Sequence, residues 1–248
     1  MLAFFILLGL LVGSFLNVCI DRLPARQSIV SPPSHCSACG RKLGLLDLFP
    51  VFSYLFLRGR CRYCRARIPL RIPILEAATA IIFGFLYWKL GLSLELGVLL
   101  VWASMLIAIF VIDLEHQLVL NVITYPGVVL AFAASFLPPE PGVVDSLIGG
   151  GIGLAAMALP YMIYRGGMGM GDIKLGLLVG LMTGWPSALV AVLFSFVAGG
   201  LLGTFLLVFK IRKRTDPLPF GTFLAASAMV ALLWGEAILR WYLRAVGM

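Results

Sequence analysis

The sequence predicts an all-α polytopic membrane protein of about eight transmembrane helices, with a small cytoplasmic zinc-ribbon-like domain between helices 1 and 2. Three observations lead there. The 248 residues are 61% hydrophobic and 12% charged, with a mean hydropathy of +1.05, whereas soluble domains average about 45–50% apolar and about 25% charged. Uncharged runs of spanning length recur along the chain, and a soluble protein of this size has no use for them. Two Cys-x-x-Cys pairs fall in the one sizeable polar segment, 21–73.

Breaks in the apolar pattern place the helices at about 1–20, 74–91, 94–113, 118–137, 143–164, 173–185, 187–209 and 218–240. The connectors carry turn residues: Gly91-Leu92-Ser93, Pro138-Pro139-Glu140-Pro141-Gly142 and Gly184-Trp185-Pro186-Ser187. The sixth helix is short enough to be a partial or re-entrant span. Met1 to Ile20 lacks a basic start and is followed by positive charge, the reverse of a secretory signal peptide. It reads as a retained first helix with its N-terminus outside.

Residues 21–72 hold ten Lys or Arg against Asp21 and Asp47, a net +8 that equals the charge of the whole chain. That concentration marks the cytoplasmic side and attracts anionic membrane lipids; no nucleic-acid partner is expected. Counting helices from an outside N-terminus also puts 114–117, 165–174 and 210–216 inside. The basic run Lys210 to Arg214 agrees, while Arg240 and Arg244 are discordant.

Cys36 and Cys39, with Cys61 and Cys64, offer four thiolates from two turns, a tetrahedral Zn site. A charged segment this small builds little core, so a metal supplies folding energy. Disulfides, which the reducing compartment disfavours, free thiols and iron are the alternatives. Cys19 reads as a packing residue.

Gly169-Met170-Gly171-Asp172 places an acid between apolar segments, and Asp113 closes the run from Leu99. An ionisable group within a span costs about 2.5–3.5 kcal/mol on insertion scales, so each is a candidate functional site. The topology puts both acids at the same cytoplasmic depth. Two carboxyls sharing one proton provide an acid and a base at one pH, the chemistry of an intramembrane aspartyl protease. Gly169 and Gly171 are expected to permit positive φ and the close approach of an extended substrate. The plainer readings are a helix cap for Asp172 and an interfacial anchor for Asp113. Glu115 and His116 are neighbours of Asp113, and Glu76 is either a helix-dipole partner or a substrate contact.

These residues resemble the bacterial type IV prepilin peptidases, aspartyl proteases of the GxGD class. Gly13-Ser14-Phe15-Leu16-Asn17-Val18 with Arg22-Leu23-Pro24 is similar to that family's GSFLNV…RLP opening, and Arg58 to Cys64 to its RGRCRxC element. Phe49 to Leu55 resembles its IPxxSYL stretch, and Pro73 to Glu76 its YPLxE element, with Ile72 replacing Tyr. Ile112 to Glu115 and Gly167 to Lys174 resemble its two catalytic motifs, and Pro219 to Leu224 its PFGPFL ending. Leu120-Asn121 departs from the family's Pro-Asp or Pro-Asn.

The resemblance implies cleavage of prepilin or type II secretion pseudopilin leaders at the cytoplasmic face, in the bacterial inner membrane. It assigns Asp113 and Asp172 as the catalytic dyad and Cys36, Cys39, Cys61 and Cys64 as Zn ligands. It also implies methylation of the new N-terminus from S-adenosylmethionine, for which the chain carries no glycine-rich fingerprint. A peptidase without methyl transfer and an ion-coupled transporter are the alternatives. The domain division is then 1–20 first helix, 21–73 four-cysteine zinc-binding domain and 74–248 transmembrane protease domain. Glu76, Gly169 and Gly171 are the expected substrate contacts. Phe49, Val51, Phe52, Tyr54 and Leu55 are expected to rest on the helices as a roof over the dyad.

Overall fold

The computed structural model describes residues 1–138, 141–163, 169–210 and 218–247. Part of one expected connector (139–140), the start of the second acidic motif (Gly167 and Met168) and the basic run 211–214 lie outside the described residues. Nine helices form among the described residues, with no strand: α1 Leu2–Arg22, α2 Phe52–Phe56, α3 Arg71–Leu90, α4 Leu94–His116, α5 Asn121–Ala134, α6 Val143–Ile163, α7 Met170–Thr183, α8 Ser187–Val208 and α9 Phe220–Val246. Six of them (α1, α3, α4, α6, α8 and α9) are long and apolar enough to cross a membrane. The eight expected helices correspond to all but the single turn α2.

Several ends differ from expectation. The α4 helix runs to His116, which places Asp113 one turn inside its end. The α7 helix starts at Met170, so Asp172 is in its first turn. The α9 helix continues to Val246 through Arg240 and Arg244, both exposed, and Arg240 pairs with Glu236 one turn earlier at 3.3 Å.

The chain divides into two compact units, 1–104 and 105–248, with the division inside α4. In the first unit α1 packs along α3. Glycines make that approach possible: a Cβ on Gly9 would come within 2.6 Å of the Ala80 Cα, and one on Gly13 within 2.8 Å of the Glu76 Cα. Asn17 ties the pair by donating to the Gly13 and Ile72 carbonyls, and Cys19 is buried as expected. Phe49, Phe52 and Leu55 were expected to be covered and are exposed.

The second unit is organised around α7, which touches α5, α6, α8 and α9. Its closest neighbour is α6, and the seam is built on Gly149 and Gly153 facing Gly176 and Gly180. Small residues four apart on both helices let the backbones meet, the usual solution where lipid supplies no hydrophobic drive. Ser146 Oγ donates to the Leu181 carbonyl across this seam at 2.8 Å.

A Cβ on Gly153 would overlap the Gly176 carbonyl, whereas one on Gly151 meets nothing within 4 Å. Gly153→Ala is therefore expected to destabilise the protein by about 1–3 kcal/mol. Gly151→Ala is expected to be neutral or to stabilise by up to about 1 kcal/mol through helix propensity. Thermal unfolding of both variants in detergent checks the contrast.

A carboxylate pair and a four-cysteine cluster

Asp113 lies in the last turns of α4, only 3% exposed, and needs donors to tolerate that position. Thr222 supplies them. Its backbone N–H reaches Asp113 Oδ2 at 2.6 Å and its Oγ1 donates to the same oxygen at 3.0 Å. Thr222 is the third residue of α9, so its N–H is one of the four that a helix start cannot pair internally. The carboxylate thus satisfies an orphan donor and faces the positive end of the α9 dipole. Gly221 permits the approach: a Cβ there would lie 3.0 Å from Asp113 Cγ.

Asp172 is also at a helix start. Gly169 is the N-cap of α7, in extended conformation, and Asp172 is the third residue after it. The Asp172 carboxylate accepts the Gly169 N–H at 3.2 Å. Since glycine has no side chain to donate or accept, this is one half of a capping box, and Asp172 is not itself the cap. The charge of Asp113 acts on Asp172 directly, so the two carboxylates, 59 positions apart in sequence, share one electrostatic environment.

The expected positive φ of Gly169 and Gly171 is not found: Gly169 has φ −80°, and Gly171 is not among the left-handed glycines. Gly171 instead makes room for Val119, whose Cβ would lie 2.8 Å from an added Cβ. Lys174, one turn further along α7, donates to Asn121 Oδ1 at 3.0 Å and sits 5.0 Å from the Tyr125 ring centroid. Asn121 therefore anchors the start of α5 to α7, which gives the Leu120-Asn121 departure a role. Glu115 and His116 are exposed and face one another at 4.0 Å, unlike buried Asp113.

Thr222 and Gly221 are the residues that the sequence reading left without a role. Their only signal was membership of the Pro219 to Leu224 motif.

The four cysteines of the first unit come together. All four Sγ atoms lie within 4.8 Å of one another, and Cys36 Sγ is 3.8 Å from Cys64 Sγ. A tetrahedral Zn²⁺ with bonds of about 2.3 Å separates its sulfurs by about 3.8 Å, so the cluster is compatible with structural zinc. Two equivalent turns present the thiols. The Cys36 N–H donates to the Arg41 carbonyl and Cys61 N–H to that of Ala66; Gly40 and Arg65 occupy matching positions with φ +69° and +61°.

The thiols do not ionise independently. Backbone N–H groups of Cys39 and Ala38 bring Cys36 down to about 7. The Ala66 N–H favours the Cys64 thiolate, but desolvation and the three neighbouring thiols push it up to about 11. The Cys36 thiolate is thus favoured while the Cys64 thiol keeps its proton, an imbalance that a cation bound among the four sulfurs would relieve.

Glu76, buried on α3, accepts the Val51 N–H at 2.7 Å and also bonds Ser14. Val51 has φ +60°, a strained conformation for a β-branched residue, and this bond holds it at the start of α2. The Glu76 carboxyl borders a cavity of about 200 Å³ within the first unit, with Ser14, Tyr54 and Arg62 also on its wall.

Comparison with known proteins matches residues 7–90 to the bacterial peptidase A24 N-terminal domain and residues 100–204 to the type IV leader peptidase family. Curated relatives named prepilin leader peptidase/N-methyltransferase are similar over nearly their whole length. The protein from Pseudomonas aeruginosa is 34% identical across 98% of this chain and 93% of its own. That from Bacillus subtilis is 33% identical across 98% of each, and that from Aeromonas salmonicida 31% across 97% and 93%. No solved structure matches the chain significantly.

Proposed function

This chain belongs to the type IV leader peptidase family, and on that premise we propose that it cleaves the leader of prepilins or pseudopilins with Asp113 and Asp172 and then methylates the new N-terminus. The observation that carries the reading is the pairing, within one unit, of buried Asp113 with half-buried Asp172, each holding an N–H from a helix start, with the charge of Asp113 acting on Asp172.

The hydrogen bonds support a division of roles. Thr222 places two donors on one oxygen of Asp113, and donors of that kind favour the ionised form. Asp172 has the single N–H of Gly169. Asp113 is therefore the base that takes a proton from the attacking water. Asp172 carries the shared proton and gives it to the scissile carbonyl oxygen. The tetrahedral intermediate collapses as Asp113 passes the proton it took from water to the leaving amine and Asp172 takes back a proton from a hydroxyl of the intermediate, and no covalent enzyme intermediate forms. Gly169, the extended N-cap of α7, has only the Asp172 carboxylate and the Gly171 amide within 4 Å of its missing side chain, which supports a place for it beside an extended substrate; Gly171 stands against Val119.

The net +8 of residues 21–72 supports an N-terminus outside and a dyad near the cytoplasmic face. Zn²⁺ is the metal that the four thiolates fit, and it stiffens the segment 21–73. Methyl transfer requires S-adenosylmethionine, which supplies the methyl group to the freed amine. Sulfonium and ammonium are both cations, and Glu76 is one of two acids, with Asp47, on a cavity wall that also carries Arg62 and Arg67. Glu76 is the acid proposed to meet the leader's positive charge or the new amine.

Asp113→Asn and Asp172→Asn are each expected to lower leader cleavage by at least about 10³-fold, a loss of about 4 kcal/mol of barrier lowering, with insertion and thermal stability retained. Full cleavage by either variant in a purified assay removes that residue from the mechanism. Thr222→Val keeps the N–H and loses the hydroxyl bond, and a bond to a charged group contributes about 1.5–3 kcal/mol. We expect kcat/KM to fall by ten- to a hundred-fold on that scale, and Thr222→Ser to recover most of it. Cys36→Ser with Cys61→Ser is expected to release about one equivalent of zinc per chain, measured by elemental analysis. Retention of stoichiometric metal excludes the cluster as its site.

A further inference from the structure

Leu45, Leu46, Phe49, Phe52, Leu55 and Phe56 form a run of large apolar side chains that are all exposed among the described residues. Leu45 is 89%, Leu46 76% and Phe56 86% exposed, although the run belongs to the most polar and most charged segment of the chain. An isolated exposed leucine needs no explanation, but an exposed contiguous patch marks an interaction surface. Leu46, Phe49, Phe52 and Phe56 line a groove of about 290 Å³ that also includes Arg62. Exposed Arg58, Arg60, Arg65 and Arg67 follow it in sequence.

We propose that residues 45–56 dock onto the anionic lipid surface, with the apolar side chains entering the boundary of headgroups and acyl chains. Two observations select lipid over a protein partner. The segment 23–70 leaves one candidate span, α1, and re-enters another, α3, so both its ends are fixed at a bilayer surface. Its arginines carry the sign that anionic headgroups attract, and a patch that combines large apolar residues with cationic neighbours is the composition of interfacial anchors. The short helix α2 supplies three members of the patch, and the Glu76 bond to the Val51 N–H fixes where α2 begins. The docking surface is thereby built into the fold, and it does not rest on the peptidase reading.

The test uses the full chain in nanodiscs, with Phe52 or Phe56 replaced singly by a photoreactive phenylalanine analogue. After illumination, mass spectrometry identifies what each position has captured. Expected are lipid adducts at both positions, several-fold more abundant in discs containing phosphatidylglycerol than in phosphatidylcholine alone, and diminished by high salt. Lipid adducts at neither position overturn the proposal, whether the analogue captures an added prepilin peptide, captures this chain itself, or captures nothing. Lipid adducts that are indifferent to headgroup charge and to salt overturn it as well, because the arginines would then have no part in docking.

Discussion

A carboxylate inside a membrane-spanning helix is tolerated only where donors wait for it, and in this chain the donors are the unpaired amides of helix starts. Asp113 reaches the third amide of α9, and Asp172 occupies the first turn of α7 while holding the Gly169 amide. Each helix start has N–H groups without internal partners, and each acid needs hydrogen bonds in place of the water it has lost. The same bonds satisfy both requirements. They also distinguish the acids, because Asp113 receives two donors on one oxygen and Asp172 one. An asymmetry of that kind is what a shared-proton dyad needs.

That arrangement depends on how closely the helices approach. Gly221 removes the side chain that would meet Asp113, and Gly149, Gly153, Gly176 and Gly180 bring α6 against α7 so that α7 can sit centrally among its neighbours. In the first unit Gly9 and Gly13 do the same for α1 and α3. The 27 glycines of this chain are therefore not mainly turn formers. Those in the helices are largely surfaces for close packing; Gly171 follows that pattern against Val119, Gly169 is the extended N-cap of α7, and neither is at a positive φ.

Hydropathy made the helices legible, since a span must be apolar over a fixed length, and all eight expected segments are helical. Their ends were harder to read because polar residues continue a helix past the apolar run: His116 in α4 and Arg244 in α9 are examples. The cysteine cluster was legible because its ligands come from two short turns of defined spacing. Thr222 was not, since its main bond to Asp113 uses a backbone N–H from 109 residues away, and backbone donors have no sequence signature. The Glu76 bond to Val51 escaped for the same reason. Phe49, Phe52 and Leu55, read as covered, are exposed, because apolar character alone does not say what a side chain packs against.

The central claim is that one carboxyl is ionised and the other protonated when the peptide bond is cut. The pH dependence of kcat/KM for leader cleavage by the purified protein tests it most directly. A bell-shaped profile is the predicted result: the rising limb reports the first ionisation of the pair, and the falling limb reports loss of the shared proton. A profile that rises with pH to a plateau without falling would contradict it, because cleavage would then proceed with both carboxyls ionised.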